Sequence, residues 1–151
     1  MNILRTLFFV AGVGALMLFA NCDGGSSGGG TTPEEDLMAL LQSKTWSASA
    51  NSVSVPANSA TIDSDWDNFT VSFGTSTMST NGHPTGANVV WPTGSTWTLT
   101  DITTITRGDG VAMTIVTATT SNLVVRFTMP PGTEIGGRVA SLEGEYTFNL
   151  Q

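Results

Sequence analysis

Leu123-Val124-Val125-Arg126-Phe127-Thr128-Met129 is the stretch on which the fold turns. In an extended chain successive side chains point to opposite faces. Leu123, Val125, Phe127 and Met129 then share one face, and Val124, Arg126 and Thr128 share the other. The same period of two recurs in Phe69-Thr70-Val71-Ser72-Phe73, in Thr96-Trp97-Thr98-Leu99-Thr100 and in Tyr146-Thr147-Phe148-Asn149-Leu150. Such alternation marks strands with one buried face. It makes Phe69, Val71, Phe73, Trp97, Leu99, Val125, Phe127, Tyr146 and Phe148 the expected core.

Working outward, Val111–Ala118 is a further, more apolar strand candidate. Weaker ones are Thr45–Ser49, Val53–Val55, Thr77–Thr80, Val89–Trp91 and Thr103–Arg107. Turn chemistry separates them. Gly108-Asp109-Gly110 suits a tight hairpin between Arg107 and Val111, Thr119-Thr120-Ser121-Asn122 joins the next pair, and Asn81–Gly86 is a longer loop. Pro130-Pro131-Gly132 breaks the sheet and opens a connection to about Gly144. With short strands, regular turns and no room for parallel crossovers, the expected fold is all-β: an antiparallel up-and-down barrel or sandwich of about eight strands. A short helix precedes it. Thr32 can cap its start, Pro33 takes the first helical position, Glu35 completes a capping box, and Leu37, Met38 and Leu41 share a face. This helix is expected to end near Ser43 and to plug one end of the β-domain.

The amino terminus reads differently. Met1–Arg5 carries a single positive charge, and Thr6–Ala20 is an uncharged, largely apolar run. That is the pattern of a secretory signal, and the run is shorter than the roughly 20 apolar residues of an ordinary membrane span. It stops at Asn21-Cys22-Asp23, and Cys22 is the only cysteine in the chain. Residues 23–31, Asp-Gly-Gly-Ser-Ser-Gly-Gly-Gly-Thr, form a flexible tether that spans roughly 15–20 Å as a random coil. The expected organisation is a signal peptide over residues 1–21, a modified cysteine and tether over 22–31, and one β-domain over 32–151.

Leu18-Phe19-Ala20-Asn21-Cys22 resembles the lipobox of bacterial lipoproteins. Ala20 fits it, while Phe19 and Asn21 stand where that family prefers Leu and Gly or Ala. The resemblance implies cleavage before Cys22 and lipidation of its thiol. It further implies a lipid-anchored place in the bacterial cell envelope, expected at the outer membrane. Two or more acyl chains hold a protein stably at a bilayer.

Charge narrows the partners. Beyond residue 21 only Lys44, Arg107, Arg126 and Arg138 oppose twelve acids, a net charge of −8. Four scattered cations cannot neutralise a run of phosphates, which argues against nucleic acid and against electrostatic attachment to anionic lipid. With one cysteine no intramolecular disulfide can form, so the core must hold the fold alone.

Together, the tether, the short helix, Trp46 on the first strand, the meander of about eight strands and Arg138 ahead of the last strand, Glu145–Gln151, resemble lipocalin-like (calycin-type) domains of small bacterial lipoproteins. The likeness covers residues 33–151. Lipocalins proper carry Gly two residues before that tryptophan, where this chain has Lys44, and a late arginine packs across the ring. The resemblance implies an antiparallel barrel that binds a small apolar or amphiphilic ligand.

Chemistry-bearing residues are few. His83 is the only histidine and lies in a Gly-His-Pro loop, a poor start for a catalytic triad or a histidine metal cluster. No nucleophile–base pairing is evident, so no enzyme and no cofactor are expected. Asp63, Asp65 and Asp67 alternate, and in an extended segment they would share a face able to take Ca²⁺, although Asn68 and Gly74 break the EF-hand pattern. The blander reading is a solvated acidic turn. Trp66 lies among these acids and Trp91 precedes Pro92, so both are candidates for exposed, sugar-stacking rings, against the alternative that they close barrel ends. Arg107-Gly108-Asp109 spells an integrin-recognition tripeptide, and Asn68-Phe69-Thr70 spells a glycosylation sequon. Two functions stay open: an anchored binding or accessory domain for a small apolar or amphiphilic ligand, and a cell-surface glycan-binding or adhesion module using Trp66, Trp91 and the acidic loop.

Overall fold

The computed structural model describes residues 30–135 and 138–151, except for the side chains of residues 134–140. The expected signal peptide, Cys22 and most of the expected tether lie outside the described residues. Among those described, no helix is long and apolar enough to cross a membrane.

The α-helix α1 runs over Pro33–Gln42, as Pro33 and the cap dictate. Thr32 Oγ1 accepts from the Glu35 N–H at 3.2 Å, and Glu35 Oε2 accepts from the Thr32 N–H at 2.7 Å. Ser43 ends the helix. Among the described residues eleven strands follow: β1 Thr45–Ser47, β2 Val53–Ser54, β3 Thr70–Phe73, β4 Thr77–Asn81, β5 Gly94–Asp101, β6 Thr104–Arg107, β7 Ala112–Ala118, β8 Leu123–Met129, β9 Glu134–Ile135, β10 Arg138–Ser141 and β11 Gly144–Leu150.

Nine of them form one antiparallel sheet in the order β1-β3-β4-β5-β6-β7-β8-β11-β2. Apart from β1 and β2, this is a meander. The sheet curls until its ends meet: Ser47 of β1 and Gln151, just past β11, exchange two backbone hydrogen bonds of 2.9 Å. The chain from β1 to β2 thus borders both β3 and β11, which answers the choice between barrel and sandwich in favour of a curled barrel. Outward bulges ease the curvature. One lies between Ile115 and Thr117 of β7, and it leaves Val116 47% exposed.

The alternating residues face inward as expected. Phe69, Val71, Phe73, Trp97, Val125, Phe127, Tyr146 and Phe148 are buried, whereas Leu99 is only partly buried because it sits at the end that α1 covers incompletely. A small barrel of about this many strands has an interior that side chains can fill. Here aromatic rings do so: Trp66, Phe69, Trp91, Phe127, Tyr146 and Phe148 form a network with centroid separations of 5.1–6.4 Å.

Two expected features are corrected. Val89–Trp91 is not a strand: Ala87–Val89 is a short 3-10 helix, and it drives Val90 and Trp91 inward. The stretch from Pro130 to Gly144 is not a bare connection, since β9 and β10 pair as a separate hairpin.

The barrel has two distinct ends. At one, α1 lies near the β5–β6 and β7–β8 turns, and the Trp46 indole N–H donates to the Leu41 carbonyl at 2.9 Å. At the other lie the segment before β3, the loop 82–93, the Gly108–Gly110 turn and the β9–β10 hairpin. Gly82 shows how tightly this second end is drawn in. Its φ is +73°, and a Cβ there would come within 2.0 Å of the Asn68 carbonyl oxygen, so only glycine fits.

Candidate functional site

The acidic segment is not extended, so the three aspartates do not line up on one strand face. Asp63–Trp66 is a turn of 3-10 helix, whose tighter winding throws the carboxylates in different directions. Asp63 Oδ1 accepts from the Val55 N–H at 3.1 Å, and Asp65 Oδ2 accepts from the Ile62 N–H at 2.9 Å. These carboxylates satisfy backbone donors of their own loop, as aspartate does in turns. Two of the three candidate ion ligands, Asp63 and Asp65, thus spend a carboxylate oxygen on the backbone of this loop; Asp67 follows at the end of the 3-10 turn. Among the described residues no group of three or more His, Cys, Asp or Glu is placed to hold a metal ion.

The same short helix turns Trp66 inward. Both tryptophans proposed for sugar stacking, Trp66 and Trp91, are completely buried, so neither offers a ring face to a ligand from solvent. Trp66 packs edge-on against Phe148 at 5.1 Å and Phe69 at 5.6 Å, and its indole N–H reaches Thr61 Oγ1 at 3.3 Å. Trp91 packs against Phe69, Phe127 and Phe148. Its indole nitrogen is the only buried side-chain donor without an acceptor among the described residues. Both rings are wedges that close the barrel, the alternative that composition could not exclude.

The most unusual buried group is Arg107, which the apolar pattern passes over. Its side chain is fully buried, yet it carries a charge. Its guanidinium lies 5.8 Å from the Trp91 ring and 5.5 Å from the Phe127 ring, and donates to the Val90 carbonyl and, through two nitrogens, to the Asp109 carboxylate. Burial pushes the Asp109 carboxyl up. The hydrogen bonds from Arg107 and the Val111 N–H, with the Arg107 charge, outweigh that and hold it below its ordinary value. The pair pins the loop 82–93 to the β6–β7 turn. It also withdraws the Arg-Gly-Asp tripeptide from recognition, because the arginine points inward and its partner is the aspartate of the same motif.

His83 is likewise structural. Thr80 Oγ1 donates its single proton to the Pro92 carbonyl at 2.8 Å, so it accepts from His83 Nε2 at 2.6 Å. Burial lowers the His83 pKa, which keeps the ring neutral near pH 7. Among the described residues no carboxylate is its hydrogen-bond partner. The Tyr146 hydroxyl donates to the Leu142 carbonyl at 3.1 Å and lies 3.1 Å from Ser59 Oγ, and burial raises its pKa.

Lys44 takes up a position that the resemblance assigns to a late arginine. Its Nζ stands 4.4 Å from the centre of the Trp46 ring. The side chain of Arg138 lies outside the described part.

Concavities mark the surface among the described residues. A groove of about 650 Å³ crosses the outer wall over β7, β8 and β11, with Asp109, Thr114, Arg126, Thr128 and Glu145 among its lining. Arg126 and Glu145 approach only to 4.0 Å and both are well exposed, an arrangement worth little in stability. A second hollow, of about 420 Å³, lies beside the 55–64 segment. The third is a slot of about 360 Å³ between α1 and β5, walled by Met38, Ala39 and Leu99 and rimmed by Glu34, Glu35 and Gln42. Against this geometry, comparison with known proteins adds nothing: no protein-family model, no curated relative and no solved structure matches the chain.

Proposed function

We propose that the chain is an exported lipoprotein of the bacterial cell envelope, held at the outer membrane by lipid on Cys22, whose lipocalin-like barrel is a non-catalytic binding or accessory domain. Support for the anchor is sequence-borne: the apolar run 6–20, Ala20 and the unique Cys22 ahead of a glycine-rich tether. Support for the lipocalin-like reading is the order of parts. A capped helix covers one barrel end, Trp46 follows on β1 with a cation over its ring, and a meander closes back on that strand.

The observation that carries the binding reading is where space remains. The interior is filled by aromatic rings, so a small apolar or amphiphilic ligand has its room at the surface, in the outer groove or the α1 slot. Glycan stacking would need an exposed aromatic ring, and Trp66 and Trp91 are enclosed. We therefore prefer the small-ligand reading.

Feeding cells an alkyne fatty acid tests the anchor. The parent chain is expected to take the label and Cys22→Ser to lose it; equal labelling of both would overturn the reading. Native mass spectrometry of the purified protein tests the rest. A retained small molecule is expected, and its loss when the outer groove or the α1 slot is filled by substitution would say which one holds it.

A further inference from the structure

We infer that the slot between α1 and Leu99 shelters part of one acyl chain of the lipid on Cys22 whenever the protein is away from a bilayer. The inference rests on the lipoprotein reading above. The slot lies at the barrel end where α1 leaves Leu99, an inward-facing strand residue, partly uncovered. Its floor is Met38, Ala39 and Leu99, all apolar. Ile102, 51% exposed, extends apolar surface along the neighbouring β5–β6 turn.

The choice of occupant follows from the chain's own layout. Cys22 precedes Thr31 by nine residues, and Thr31 leads into α1, whose first turn carries the slot's rim. A glycine-rich tether of that length spans roughly 15–20 Å, enough to bring the lipid to the slot. Covalent attachment through a short flexible linker also gives an effective concentration in the millimolar range, which a free ligand does not match. Charge points the same way. The Glu34 and Glu35 carboxylates at the rim, with Asp36 beside them, repel a free fatty acid or an anionic phospholipid and disfavour a second copy of this acidic helix. They do not oppose an uncharged glyceryl ester chain. Each methylene withdrawn from water favours the docked state, and a bilayer, which covers the whole chain, favours release.

Hydrogen exchange on the full mature lipoprotein in detergent-free buffer tests this, with Cys22→Ser as the unlipidated reference. Amides of residues 37–42 and 98–100 are expected to exchange about tenfold more slowly in the lipidated monomer than in Cys22→Ser. Adding vesicles of phosphatidylethanolamine and phosphatidylglycerol should remove the difference. Ala39→Trp, which fills the slot from an exposed position, should remove it without vesicles. A lipidated monomer with no protection there, or protection seen only in oligomers, would overturn the inference while leaving the anchor intact. An intact mass without the diacylglyceryl group would instead remove the anchor, and the inference with it.

Discussion

The two ends of the barrel are closed by different means. One is sealed by side chains: Trp66, Phe69 and Trp91 are fully buried, and Arg107 is locked between the loop 82–93 and the turn at Asp109. The other is covered by α1, which buries only Leu41 completely and leaves a slot beside Leu99. A dense aromatic plug resists opening because every ring has partners on all sides, whereas a single amphipathic helix can lift away while baring little apolar surface. The first end is therefore expected to share the stability of the whole domain, and the second to behave as a local unit.

The largest effect should come from the aromatic end. Trp66→Ala removes a buried ring that touches Phe69, Tyr146 and Phe148, and is expected to cost about 3–5 kcal/mol in denaturant unfolding. Phe148→Ala, at the centre of the same network, should cost a similar amount. A loss under about 1 kcal/mol for both would mean that the rings do not pack as a unit, and the contrast between the ends would fail.

Next in size is the Arg107–Asp109 pair. Removing the carboxylate with Asp109→Ala leaves a buried charge without its partner. Asp109 is itself partly open to water, so the expected cost is about 2–3 kcal/mol, below that of a fully buried pair. Arg107→Met, which removes the charge and keeps the volume, should cost less than Asp109→Ala, because a packed apolar chain can replace a buried ion. The opposite ranking would show that the guanidinium's bond to Val90, not charge balance, holds the loop. Acid gives a milder version of the same test. The folded-state pKa of Asp109 is lowered from the ordinary 3.8, so its contribution is present above that value and is lost as pH falls through the lower folded one. Wild-type stability should therefore drop more steeply below about pH 4 than that of Asp109→Asn, measured by thermal melts.

How much of this was legible in the sequence follows the same division. Period-two alternation reads out burial wherever a regular strand carries it, and β8 runs over the very residues Leu123–Met129 that the pattern marked. The α1 cap was legible too, because Thr32, Pro33 and Glu35 act within one turn. Alternation fails where the backbone leaves the strand. Trp66 and Trp91 looked exposed from acidic or proline neighbours, but 3-10 turns rotate both inward, and that rotation depends on packing against Phe148 from the far end of the chain. Arg107 is inward by strict alternation with Ile105 on β6, and only its charge hid it. What a turn-adjacent arginine followed by Gly-Asp offered was a local partner for burial, a clue that the tripeptide's resemblance to a recognition motif obscured. The slot beside Leu99 could not be read at all, because it exists only where helix and barrel fail to cover each other.

The smallest predicted effect separates the two ends most directly. Thr32→Ala breaks the reciprocal cap of α1, in which Thr32 and Glu35 each satisfy the other's backbone N–H. Losing such a cap costs about 1 kcal/mol of helix stability. If α1 opens without the barrel, that cost appears as roughly fivefold faster amide exchange across residues 36–42, since about 1 kcal/mol is a factor of five in an equilibrium constant. Exchange in β8 and β11 should stay unchanged, because their slowest amides open only with the whole sheet. Global unfolding should barely move, since a helix that has already opened contributes nothing to the final transition. The alternative has a different signature. If Leu41, buried under Trp46, couples the helix tightly to β1, then Thr32→Ala should lower the denaturation midpoint by the full amount and leave the relative exchange of α1 and β8 as it was. In that case both ends of the barrel belong to one cooperative unit, and the slot beside Leu99 is a fixed feature of the surface, not the seam of a helix that opens.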